Sequence, residues 1–206
     1  MSGQLLGARA DTVVLQAASV CLQYPDDHVR AALPVVRDAV ERLPDRAPRR
    51  HLLGFLEVAD AWSPLELQQH FVRVLDQRRR CCLYLTWWTD GETRRRGLAL
   101  ARLKQAYRAH GFDLASTELP DFLPVLLEFA AGCPEAGLPL LQDLRPGVEL
   151  LRLALLDADS PYVRPVEAVC ALLPGPSARD EAAARAMART GPPVELVGLE
   201  PYGGGR

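Results

Sequence analysis

Apolar residues recur at three- and four-residue spacing along most of this chain, so the pattern predicts helices one after another. Asp11-Thr12 caps a first helix, with Val13, Ala17, Val20, Cys21 and Tyr24 on one face. Tyr24-Pro25-Asp26-Asp27 stops it, and the aspartates open a second helix carrying Val29, Leu33, Val36, Val40 and Leu43. Pro34 lies inside that pattern and is expected to kink the helix or delay its regular part. A third helix spans about residues 50–61, with Leu52, Leu53, Leu56 and Ala59 inward. Ser63-Pro64 reads as a helix start, followed by Leu67, Phe71, Val74 and Leu75 on one stripe. Glu92 or Thr93 opens a helix to about His110 that Gly111 ends, with Leu100, Leu103 and Tyr107 inside. Further helices are predicted over residues 118–129, 138–157 and 161–173.

Two stretches stand apart. Cys82 to Trp88, CLYLTWW, has the β-branched and aromatic content of a strand but no partner strand in the sequence. It is read as a buried helical turn or short helix. ELPDFLPVLLEF, Glu118 to Phe129, is an acidic helix entrance near Pro120 followed by a helix that is apolar almost all round. Such a helix is buried centrally or lies under a groove. Past Pro174 the chain becomes rich in Pro and Gly with little to bury. The reading is therefore all-α: an N-terminal extension over residues 1–11, one helical bundle-like domain over 12–173, and a mobile tail over 174–206 with at most one marginal helix.

At 206 residues, with 49% hydrophobic and 24% charged positions, the chain can bury one ordinary core. The net charge of −2 hides a polarity. Between Arg73 and Arg108 ten basic side chains face only Asp76, Asp90 and Glu92, whereas from Asp113 onward acids outnumber bases two to one. No stretch approaches the roughly 20 apolar residues that span a bilayer. MSGQLLGARADTVV lacks the layout of a secretory signal, so a cytoplasmic protein without stable membrane association is expected.

Candidate chemistry is sparse. The five cysteines form no CxxC and no Cys/His spacing suited to zinc, so neither a metal nor a resident cofactor is expected. Cys81-Cys82 beside Arg78, Arg79 and Arg80 would suit a thiolate, but a buried pair at the start of an apolar turn is the favoured reading. His28, His51, His70 and His110 lack helical partners of the kind that a base or ligand needs. The triplets Arg78–Arg80 and Arg94–Arg96 raise nucleic acid as a partner. The acidic total and the angular spread of three successive helical arginines argue against it.

The remaining features suit the holding of another polypeptide. Trp87 and Trp88 diverge on a helical turn, so both are buried only where protein covers both sides; otherwise one lines a groove. Glu118, Asp121 and Glu128 form an expected acidic rim over an apolar floor made by 122–129 and 83–88. A basic amphipathic segment fits such a groove. No catalytic residue is assigned.

RRCCLYLTWWTDGETRRRGLALARLKQAYRAHGF followed by ELPDFLPVLLEF resembles the nitrate reductase molybdenum cofactor assembly chaperones, the delta subunits of respiratory nitrate reductase, within the redox-enzyme maturation chaperones. The likeness extends more weakly to LQYPDD at Leu22 to Asp27. It implies an all-helical protein without catalysis. The implied partner is the apo catalytic subunit of nitrate reductase, including its N-terminal segment, held for cofactor insertion before membrane docking. The implied contact residues are Tyr84, Leu85, Trp87, Trp88, Arg96, Gly97, Glu118, Leu119, Pro120 and Asp121. Related chaperones for other molybdoenzymes often carry an Asp-His pair, whereas Phe122 follows Asp121 here, so no histidine role transfers. Two other readings stay open: a peptide-binding or scaffold protein for another partner, and a thiol-dependent enzyme using Cys81 or Cys82.

Overall fold

The computed structural model describes residues 2–114 and 118–190. α1 (Ser2–Cys21) lies across α7 (Leu123–Gly132), and α2 (Asp27–Glu41), α3 (Ala47–Ala61) and α10 (Val163–Cys170) pack around it. Leu15, Ala18, Leu22, Leu126, Leu127 and Val166 are fully buried where these elements meet. α7 supplies Leu123, Leu126, Leu127, Phe129 and Ala130 to this core, which accounts for its apolar character on nearly every side. Of the two sites that a wholly apolar helix can occupy, it takes the central one.

Several helix boundaries follow proline chemistry. Asp26 caps α2 by accepting from the Val29 N–H at 2.8 Å, and Pro34 is carried inside that helix. Ser63 and Glu66 form a reciprocal capping box at the start of α4 (Pro64–Phe71). The single helix predicted over 138–157 is two, α8 (Pro134–Asp143) and α9 (Arg145–Asp157), with Pro146 in the first turn of α9, where a proline costs least. Likewise α7 begins at Leu123, with Pro124 in its first turn, and not near Pro120. α5 (Leu85–Asp90) is the short helix expected within CLYLTWW, and Gly91 closes it at φ 59°. α6 (Arg94–Ala109) follows and ends before Gly111 as expected.

The chain departs from the predicted division at both ends. Residues 2–11, expected as an extension, belong to α1, so Asp11 lies inside the helix instead of capping it. Burial pushes the Asp11 carboxyl upward against the opposing pull of Arg46. At the other end α11 (Glu181–Thr190) packs on α9 through Ala184 and Met187 against Leu150 and Leu153. The connection into α11 is held by polar bonds. Arg145 donates to the carbonyls of Pro174, Gly175 and Pro176, and Arg152 to that of Ala178. Glu149, fully buried between the two arginines, accepts from Arg152 at 2.8 Å and from Arg145 at 3.4 Å. The rest of the expected tail, residues 191–206, lies outside the described residues.

Candidate functional site

The two stretches that stand apart in the sequence meet in space. Leu123 N–H donates to the Leu83 carbonyl at 2.8 Å and Leu85 N–H to the Asp121 carbonyl at 3.0 Å. Tyr84 and Phe122 thereby form one antiparallel bridge. The strand-like composition of CLYLTWW is spent on this single extended pairing, after which the chain turns into α5. Close packing fixes the pairing from behind. A Cβ on Gly147 of α9 would lie 2.6 Å from the Leu85 carbonyl oxygen, so only glycine lets α9 approach α5 this closely.

Asp121 is fully buried at this junction, so it is no part of an acidic rim. Its Oδ2 accepts from the Thr86 N–H at 3.1 Å and the Thr86 hydroxyl at 2.5 Å. Arg96 of α6 lies 3.6 Å from the same oxygen and donates through Nε to the Thr86 hydroxyl. Asp121 therefore serves the first turn of α5, where negative charge complements the helix end, and ties α6 to it. Leu85 is fully buried, and the buried Pro120 accepts at its carbonyl from the Tyr107 hydroxyl at 2.7 Å. These residues shape the junction from inside.

The outward face of the junction is an indented surface. Tyr84, Trp87, Arg96 and Leu119 line a crevice of about 420 Å³ together with Asp76 and Arg79. The Arg79 guanidinium lies 5.3 Å from the Trp87 ring centroid, and its tip is 3.6 Å from Glu92. A second crevice of about 220 Å³ shares Tyr84 and Asp76 with the first and adds Glu118, Phe122 and Tyr24. A third, of about 320 Å³, shares Tyr24 and continues past Leu65, Gln68 and Arg73. Neighbouring crevices share wall residues, so the three adjoin along one stretch of surface, called the groove below. Tyr24, Leu65 and Leu119 stand along it with 43, 61 and 41% of their surface exposed.

Five of the expected contact residues thus come together on this groove: Tyr84, Trp87, Arg96, Glu118 and Leu119. The others do not. Trp88 turns the opposite way, donates its indole N–H to the Cys82 carbonyl at 3.1 Å, and faces Leu153 and Asp157. Gly97 is exposed on α6, and Glu128 is exposed on α7 and lines neither crevice at the junction. The floor is made by Leu75, Leu83 and Phe122, since α7 beyond Phe122 is turned into the core.

Tyr24, Leu65 and Asp76 were not among the expected contacts. Tyr24, read as a core position on the first helix, lies beyond the end of α1 and sets its ring edge-on to Phe71 at 5.5 Å. Its place in LQYPDD was the available signal. Asp76 ends a wider π turn, Val72–Asp76, that continues α4, and no helical periodicity announces such a turn.

The thiols are poorly suited to nucleophilic work. Burial raises the Cys81 thiol above its ordinary value despite Arg78, and it raises Cys82 likewise. Both therefore favour the protonated, unreactive form. Among the described residues no cluster of His, Cys, Asp and Glu could hold a metal ion, and no helix is long and apolar enough to cross a membrane.

The architecture belongs to a class already seen in crystals. A protein of Archaeoglobus fulgidus assigned to redox enzyme maturation superposes with a TM-score of 0.56, covering 87% of this chain and 92% of its own, at 19% identity. The family model for the nitrate reductase delta subunit matches residues 26–168, and the chain belongs to that family. Its relatives include the nitrate reductase molybdenum cofactor assembly chaperone NarJ assigned in Bacillus subtilis (strain 168). That protein is 35% identical over 78% of this chain and 88% of its own length. NarJ of Escherichia coli (strain K12) is 33% identical over 73% of this chain and 65% of its own. The nitrate reductase-like protein NarX of Mycobacterium tuberculosis (strain H37Rv) is 40% identical over 77% of this chain, which spans 24% of that longer protein.

Proposed function

We propose that this protein is a non-catalytic assembly chaperone. It binds the apo catalytic subunit of a nitrate reductase in the cytoplasm and keeps it competent for molybdenum cofactor insertion before membrane docking. The observation that carries this reading is the 35% identity to the Bacillus NarJ across 88% of that protein's length. The groove gives the reading a physical form. Exposed Tyr24, Leu65 and Leu119, with the half-buried Trp87, supply apolar anchors, while Arg79 and Arg96 are engaged with Glu92 and Asp121. A segment of the catalytic subunit, its N-terminal one in this proposal, lies along the groove and leaves again when the enzyme is complete. Such reversible work suits a dissociation constant from micromolar to tens of nanomolar, about 8 to 10 kcal/mol.

The test is co-expression of this protein with its cognate catalytic subunit in a cell unable to make the cofactor. The apo subunit is expected to co-purify with the chaperone and to lose it on cofactor loading. An apo subunit that purifies without the chaperone from those cells, and that reaches full activity in cofactor-producing cells lacking the chaperone, would overturn the proposal.

A further inference from the structure

Of the 16 residues of α6 only Leu103 and Tyr107 are buried. The helix carries six cations and no acid. Arg96 turns inward to Asp121 and the Thr86 hydroxyl, beside the groove. Arg94, Arg95, Arg102, Lys104 and Arg108 are exposed, and none forms an ion pair with a described residue. At helical spacing these five fan over about half of the circumference, on the side away from Arg96, and extend along about 21 Å of axis. Leu98 stands near the middle of this face, 63% exposed and within one turn of Arg94, Arg95 and Arg102.

The fold gains nothing from this charge. Arg94 and Arg95 stand in the first turn, where the helix end is already partially positive, and Thr93 supplies no side-chain cap. Lys104 and Arg108 lie four positions apart and repel. Asp90, Glu92 and Asp113, the nearest acids in sequence, sit beyond the two ends of the helix, and Glu92 faces Arg79. A face of one sign that works against its own helix calls for a polyanion outside the molecule.

The layout selects among polyanions. A small anion meets few of five heads that fan apart. Single-stranded nucleic acid is held by stacking on aromatic rings, and the one aromatic residue of α6, Tyr107, is buried. A bilayer leaflet presents anionic headgroups that move laterally to meet each cation, and the exposed Leu98 reaches the boundary beneath them. We infer that the outer face of α6 is a docking surface for an anionic lipid bilayer, which it meets reversibly and through charge. Five cations and one leucine give peripheral, salt-sensitive attachment and not an anchor. Because Arg96 faces the other side of the helix, the groove stays open while α6 lies on the membrane. The inference stands on α6 and not on what fills the groove.

The experiment sediments the full-length protein with vesicles of phosphatidylglycerol and phosphatidylcholine in equal parts, beside vesicles of phosphatidylcholine alone, with no catalytic subunit present. At low ionic strength the anionic vesicles are expected to carry the protein down, and added salt is expected to release it. R95Q/R102Q, two exposed changes on one stripe, should weaken that binding about tenfold or more with an unchanged melting temperature. R42Q/R179Q removes the same charge from exposed positions elsewhere and should bind as the wild type does. No sedimentation with anionic vesicles, equal sedimentation with neutral ones, or equal weakening by the two double variants overturns the inference. A random DNA duplex that displaces the protein from the vesicles, and loses affinity in R95Q/R102Q alone, assigns the face to nucleic acid and overturns it as well.

Discussion

Asp121 and Glu118 stand three residues apart in one acidic box, yet the fold uses them in opposite ways. Asp121 is wholly buried, accepts two hydrogen bonds from Thr86 and faces Arg96, so its charge is spent on joining α5, α6 and the chain before α7. Glu118 is only half-buried and opens onto a crevice beside Asp76 and Tyr84. The first is a structural joint, and the second faces the surface. The contrast teaches that a contact inferred from a motif has to be divided residue by residue. Charge reversal at Asp121 would disrupt the junction and say little about binding, whereas a change at Glu118 addresses the surface itself.

The largest effect expected from breaking that contrast lies at the most buried joint. Glu149→Ala leaves Arg145 and Arg152 without their shared carboxylate, and a loss of about 3–5 kcal/mol is expected in urea denaturation. Hydrogen exchange over 181–190 should rise in the same variant, because those arginines hold the connection into α11. Asp121→Ala comes next. It strips the Thr86 N–H of its acceptor and leaves Arg96 uncompensated, for a cost of about 2–4 kcal/mol by the same measurement. Trp87→Ala sharpens the comparison from the other side. Its melting temperature should change little, while affinity for the apo catalytic subunit falls by about 1–2 kcal/mol in calorimetry.

The smallest expected effect is a pH dependence in the packing behind the groove. His70 is buried, donates from Nε2 to the Ser160 hydroxyl at 2.9 Å, and accepts from Arg73 at Nδ1. Burial holds its pKa below the ordinary value of 6.5, helped by Arg73 and Arg78. Between 6.5 and that lower folded value the unfolded chain binds the proton and the folded chain does not. Stability should therefore fall as pH drops below 6.5, and a His70→Gln variant should show a shallower decline across that window in urea titrations. An unchanged slope would remove His70 from the account.

The helical character of the fold was legible because most elements bury one face, and that leaves periodicity in the sequence. Capping chemistry at Asp26 and Ser63 placed two helix starts correctly for the same local reason. The misses have non-local causes. The one marginal helix allowed beyond Pro174 is α11, but nothing local shows that the connection into it is fastened by arginines 26 to 31 positions earlier through backbone carbonyls. Asp121 looked like a helix entrance because Pro120 follows Leu119, whereas Pro124 sets the start of α7 and Asp121 serves α5 instead. Tyr84, Trp87 and Leu119 were identifiable from a dense aromatic patch and the resemblance it carries. Tyr24 and Asp76 reach the groove only because α4 and its π turn pass beside the junction, a neighbourhood that no local pattern encodes.

The account's central claim is that the outer face of the Tyr84–Phe122 junction receives a segment of the apo catalytic subunit. The most direct test is a calorimetric titration with a peptide from the N-terminus of that subunit and a scrambled control, run on wild-type protein and on Leu119→Asp. Leu119 has 41% of its surface exposed at the groove, so this substitution changes the surface with little cost to the core. Saturable binding of the native peptide alone, weakened about tenfold or more by Leu119→Asp with an unchanged melting temperature, is the result the account predicts. Equal affinity of the two proteins for the native peptide would contradict it.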